Sequence, residues 1–118
     1  MVAARRIEIP QMKMIVQSKQ GGDGTTVLTV MVDSLDRVNV AEFREEATRA
    51  IAASNGRVEV DCAKLEFIDS SGLGAFLHTH NSLSEVRRPV RLTGVGAKVL
   101  TILELMQVHR IFEIEPRG

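Results

Sequence analysis

Three stretches of helical periodicity alternate with short strand-like runs, and this alternation restricts the possible folds more than any other property of the chain. Residues 25–32 (TTVLTVMV) are rich in β-branched side chains and predict a strand. Residues 12–16 are a shorter apolar run of strand character, and the turn signal Gln20-Gly21-Gly22-Asp23-Gly24 lies between the two, so together they predict a hairpin. A first helix is expected from Asn39, whose side chain can cap it and whose spacing to Glu42 is that of a capping box. Val40, Phe43, Ala47, Ala50 and Ile51 recur on one face of it, and Asn55-Gly56 ends it. Residues 57–62 alternate, with Val58, Val60 and Cys62 on one side, as a strand does. Leu73, Phe76, Leu77, His80 and Leu83 mark one face of a second helix. Residues 89–92 predict a short strand. Thr93-Gly94 is expected to open a third helix with Val95, Val99, Ile102, Leu103 and Met106 inward, and residues 111–114 a closing strand. The order β-β-α-β-α-β-α-β favours βαβ crossovers and helices packed on a sheet. The fold class is therefore α/β, a single domain whose sheet is mixed because of the initial hairpin. Residues 1–11 read as a tail or an extra edge segment, and 12–118 as the domain.

Composition narrows the function classes. A chain of 118 residues can bury a core of its own without staples. Fifteen basic and fifteen acidic residues cancel, without the clustered excess of Lys and Arg that marks a nucleic-acid footprint. Arg87, Arg88 and Arg91 read as a solvated surface rather than a binding patch. With no Trp or Tyr, stacking platforms for bases or sugars are not expected. Cys62, the single cysteine, makes neither an intramolecular disulfide nor a multi-cysteine zinc site; it suits a reducing, cytoplasmic setting and a place in the core. After Arg5-Arg6, the residues Ile7-Glu8-Ile9-Pro10-Gln11 break the apolar centre a signal peptide needs. No run approaches the roughly 18 apolar residues of a spanning helix, so no membrane insertion is expected.

The specific chemistry lies in Lys64-Leu65-Glu66-Phe67-Ile68-Asp69-Ser70-Ser71-Gly72-Leu73-Gly74. Two small hydroxyl residues and a glycine follow an apolar run and precede a helical pattern. A serine there sits at a helix N-terminus, where unpaired N–H groups and the helix dipole both favour negative charge. A phosphate on it would add about −1.5 to −2 charges. Asp69 or Ser70 acting simply as an N-cap is the plainer account of these residues.

Other patterns are weaker. Gly72-Leu73-Gly74 lacks the third glycine and the downstream acid of a dinucleotide fingerprint. Asp61 at a strand end lacks the acidic pair of a receiver domain, since the first strands end in Gln17-Ser18 and Val32-Asp33. His78 and His80 point to different helix faces, and with His109 they form no ligand set; His80 is expected to be packed. Leu100 and Leu105 lie off the apolar stripe of the third helix. No catalytic constellation, metal site or cofactor is signalled, so a binding domain rather than an enzyme is expected.

Val58-Glu59-Val60-Asp61 followed by residues 65–73 resembles the signature of the STAS superfamily, in particular bacterial anti-sigma factor antagonists. Leu35-Asp36 stands where that family has its Leu-Asp element. Leu103-Glu104-Leu105 and Val108-His109-Arg110-Ile111-Phe112-Glu113-Ile114 resemble its C-terminal segment, so the likeness spans roughly residues 12–114. The resemblance implies that Ser71, the second serine, is phosphorylated by an anti-sigma factor that is itself a serine protein kinase. It implies that the unphosphorylated form binds this partner and frees a sigma factor, and that a PP2C-type phosphatase reverses the modification. Asp36, Asp69, Ser70, Ser71 and Gly72 would form the partner-binding surface. Two departures stand out: Asp33-Ser34 replaces the family's usual Gly-Glu, so a close backbone approach is expected to be lost. Gln107 replaces a glycine after the third helix, so that loop is expected to differ. A domain of the same family could instead be a constitutive scaffold of a transporter, lipid-transport or stress-signalling assembly, with the serine only a cap.

Overall fold

The computed structural model describes residues 14–117. The strands β1 (Val16–Gln20) and β2 (Thr26–Val30) form the antiparallel hairpin, with Val16 opposite Val30 and Gln20 opposite Thr26. The chain then runs through β3 (Ser34–Leu35), α1 (Val40–Ala52), β4 (Val58–Asp61), β5 (Phe67–Ile68), α2 (Ser70–Asn81), a 3-10 turn at Glu85–Arg87, β6 (Arg91–Val95), α3 (Ala97–Leu105) and β7 (Glu113–Pro116). The main sheet has the order β1-β2-β4-β6-β7, parallel throughout except for the hairpin. It is the mixed α/β sheet that the alternation predicts.

One face of the sheet carries Leu28, Val30, Val58, Val60 and Leu92, all buried. Helix α1 packs on β1 and β2 and against α2, closing that face. Phe76 of α2 is the hub. Its ring lies 5.6 Å from Phe43 of α1 and 6.5 Å from Phe112, which in turn meets His80 edge-on at 5.8 Å. The opposite face is polar: register places Glu59 between Val27 and Arg91, and Arg91 beside Glu113, whose carboxylate also takes Arg57 at 3.2 Å. Cys62 is fully buried, as expected; burial, reinforced by the Asp61 charge, pushes its thiol up to about 12.

Several elements differ from the sequence-based expectation. The first strand lies later than residues 12–16; residues 12 and 13, like the 1–11 segment, fall outside the described residues, and pairing with β2 is carried by Val16–Gln20. Thr93 and Gly94 continue β6 instead of opening α3. Gly94 takes φ +63° at an irregularity in the β6–β7 register, and Gly96 precedes the helix. Met106, expected inward, is 53% exposed beside the 75% exposed Leu105, because α3 ends at Leu105. Leu100 is half-buried against the core. Arg87 and Arg88 are not a solvated patch. Arg87 donates to the Ile51 carbonyl (3.4 Å) in the last turn of α1 and to the Gly56 carbonyl (2.7 Å) beyond it, and Arg88 to those of His80 and Asn81 at the end of α2.

Candidate functional site

The two shortest strands build the site. β3 and β5 pair in parallel, Ser34 beside Phe67 and Leu35 beside Ile68. Each ends in the same dipeptide type, Leu35-Asp36 and Ile68-Asp69, and each leads into a helix. The turn before α1 is thereby laid against the first turn of α2. Strands of two residues carry too little alternation to be found by periodicity.

Asp69 is the N-cap of α2, as the plainer account has it. Its Oδ1 accepts from the Gly72 N–H at 3.0 Å, and its Oδ2 accepts from the Arg37 N–H at 3.3 Å. One carboxylate thus caps the helix and ties it to the neighbouring turn. The Gly72 N–H, with smaller help from the Arg37 and Ser71 backbones and the Arg37 charge, holds the Asp69 carboxyl below its ordinary value.

Asp36 organises its own turn. Its Oδ1 accepts from the Val38 N–H and its Oδ2 from the Ser34 hydroxyl, each at 3.0 Å. Asn39 does not cap α1 through its side chain. Its Oδ1 accepts from the Asp36 N–H at 3.0 Å and its Nδ2 donates to the Ser34 carbonyl at 2.9 Å, so the amide is spent bracing the turn. At Asp33-Ser34, where the family has its usual Gly-Glu, the Asp33 carbonyl accepts from the Glu66 and Phe67 N–H groups at 2.7 and 3.0 Å.

Ser70 is exposed and Ser71 half-buried in the first turn of α2. Gly72 is buried because a Cβ there would lie 2.5 Å from the Leu35 carbonyl oxygen and 2.7 Å from Ile68 Cγ1. Sequence reasoning placed Asp36, Asp69, Ser70, Ser71 and Gly72 together, and all five do lie on these two adjoining turns. It missed the Arg37 N–H and the Leu35 carbonyl, backbone groups that no side-chain motif announces. The exposed Val38, 86% accessible, adds an apolar point to the same turn.

The other candidate residues lie elsewhere. His80 is packed, and its Nδ1 accepts from the Val90 N–H at 3.4 Å. Asp61 accepts from the Ala63 N–H at 3.0 Å and closes a turn. Among the described residues no cluster of three or more His, Cys, Asp or Glu is placed to hold a metal ion, and no helix is long and apolar enough to cross a membrane.

Solved structures of the same fold include an anti-sigma factor antagonist from Mycobacterium paratuberculosis, 20% identical over 86% of this chain and 84% of that one, with a TM-score of 0.77. The antagonist SpoIIAA in its unphosphorylated form is 21% identical over 84% of this chain and 86% of its own, with a TM-score of 0.70. The murine anion transporter Solute Carrier 26 family member A9 matches 98% of this chain with only 23% of its own length, at 13% identity and a TM-score of 0.69. A comparison with curated protein sequences returns no match. The STAS domain family model matches residues 18–117, nearly the whole of the described chain and all of the site. The chain belongs to the STAS domain family.

Proposed function

We propose that this domain is an anti-sigma factor antagonist, a binding protein of the bacterial cytoplasm that regulates transcription through its partner and is switched by phosphorylation of Ser71. The observation that carries the reading is the place of Ser71: a half-buried hydroxyl in the first turn of a capped helix, beside the turn that bears Asp36, Arg37 and Val38. Among the described residues no side-chain hydrogen bond uses the Ser71 hydroxyl, so its modification removes none of the bonds between them. The helix end tolerates the added charge, and Asp69 on the same turn raises the local negative density. A partner surface docked there would meet both repulsion and a desolvation cost. The structural likeness to SpoIIAA, a protein solved in both unphosphorylated and phosphorylated forms, supports the same reading. The partner is then an anti-sigma factor with serine protein kinase activity, and a PP2C-type phosphatase restores the binding form.

The test is the affinity of two variants for the cognate anti-sigma factor. Ser71→Ala should bind as the unmodified protein does, and Ser71→Asp about 100-fold more weakly, equivalent to roughly 3 kcal/mol. Equal affinities would overturn the switch. The fit to part of an anion transporter favours the second reading, a constitutive scaffold of a transporter assembly. It predicts an unmodified Ser71 in protein taken from its native host under every growth condition, read by intact-mass measurement.

A further inference from the structure

Arg117 occupies a place that no motif marks. Its N–H donates to the Val95 carbonyl at 2.8 Å, which anchors the residue on β6 just beyond the end of β7. The guanidinium then spans to the connection between β4 and β5. Nη2 donates to the carbonyls of Cys62 (3.3 Å) and Leu65 (3.1 Å), Nη1 to the Glu66 carboxylate (3.0 Å), and Nε to the Gly94 carbonyl (3.3 Å). Gly96 leaves room for this fork, since a Cβ there would stand 3.0 Å from the guanidinium carbon.

The connection so held leads directly into the site. Leu65 is fully buried. The next two N–H groups bind the Asp33 carbonyl, β5 pairs with β3, and the Asp69 N–H donates to Leu35 at 3.3 Å. Upstream of Glu66, the connection's own backbone bonds are Cys62 N–H to Thr93 and Leu65 N–H to Cys62. We propose that Arg117 is the positioning residue of the Ser71 turn: its fork fixes residues 62–66 and thereby sets β5 and the Asp69 cap against β3. The functional weight of this role rests on the reading of Ser71 as a switch, while the geometry does not. Charge-assisted bonds are the stronger kind, and a lysine cannot reproduce a planar fork that reaches several carbonyls at once.

The experiment is NMR on the full chain, with two readouts: amide exchange, and the pH titration of the Gly72 amide, which reports the Asp69 carboxyl it donates to. Arg117→Ala should raise exchange at Glu66, Phe67 and Asp69 about tenfold beyond any change at Leu28 and Val60, and move the Gly72 titration to higher pH. Arg117→Lys, which keeps the charge, should shift both readouts in the same direction. Glu66→Gln, which leaves the carbonyl bonds in place, should shift neither. A uniform rise in exchange with an unmoved Gly72 titration would overturn the proposal, as would full restoration by lysine. Should Arg117→Ala not fold, Arg117→Lys decides alone. Equal binding of Ser71→Ala and Ser71→Asp would remove the switch and leave these outcomes standing, so the two failures are distinguishable.

Discussion

At Gly72 the Leu35 carbonyl oxygen occupies the space a side chain would need, 2.5 Å from an ideal Cβ, and Ile68 Cγ1 closes the other side at 2.7 Å. Neither neighbour can give way: one is backbone of β3, the other a buried core atom. Two positions later the opposite holds, for a Cβ on Gly74 would meet only Arg44 Nη2 at 3.6 Å, an ordinary contact. Gly72→Ala should therefore cost about 1–3 kcal/mol, the range of overpacked sites, and push α2 off β3 so that the Arg37–Asp69 bond opens. Gly74→Ala should gain up to about 1 kcal/mol of helix propensity in the same helix. Urea denaturation of the pair checks this, and two variants of equal stability would contradict it. The glycine that follows the serines is thus a spacing residue: it lets the Asp69 cap reach across to the turn of Asp36.

Among the elements, the first two helices were the most legible, because their apolar stripes run for three turns or more. Val40 to Ile51 and Leu73 to Leu83 carry the periodicity the structure uses. What escaped is local. β1 is an edge strand made largely of polar residues, so its apolar neighbours 12–16 misplaced it. β3 and β5 are too short for a period. Asn39 has cap chemistry, yet the Asp36 N–H and the Ser34 carbonyl compete for the same amide and win. The end of α3 is the most instructive case. The missing family glycine predicts a different loop, but Gln107 takes φ +60° and the closure is made regardless. Val108 N–H donates to Leu103 and Gln107 N–H to Glu104, both at 3.0 Å, with Val108 packed on the core. This is the hydrogen-bond pattern of a Schellman motif, built on a glutamine. A left-handed L-residue costs roughly 1–2 kcal/mol, part of which glycine gives back through the freedom it adds to the unfolded chain. Gln107→Gly should accordingly raise stability by about 0.5–1 kcal/mol, seen as a higher melting temperature. An unchanged or lower one would mean that the exposed glutamine has contacts outweighing its backbone conformation.

Across the whole molecule, two titrating groups make stability depend on pH with the same sign. His80 joins the end of α2 to Val90, the residue before β6: its Nδ1 accepts from the Val90 N–H and its ring stands edge-on to Phe112. Burial, then the nearby Arg88 charge, lowers its pKa below the ordinary 6.5. The folded protein therefore holds a neutral ring where the unfolded chain has begun to bind a proton, and within that window stability rises with pH. The contribution is complete above the unfolded value and is lost as pH falls from 6.5 through the lower folded value. Asp69 acts further into acid. Its carboxyl, held below the usual 3.8 first by the Gly72 N–H, keeps the α2 cap until it is protonated, and that contribution too is lost as pH falls. The two windows open at different pH, below 6.5 and below 3.8, so single substitutions separate them. His80→Gln keeps an acceptor for Val90 and removes the titration. It should flatten the melting temperature against pH just below 6.5 while leaving the acid limb near and below 3.8 intact. Asp69→Asn should do the reverse. If His80→Gln leaves the slope below 6.5 unchanged, the histidine is as readily protonated folded as unfolded, and the tie between the end of α2 and Val90 does not depend on its neutral form.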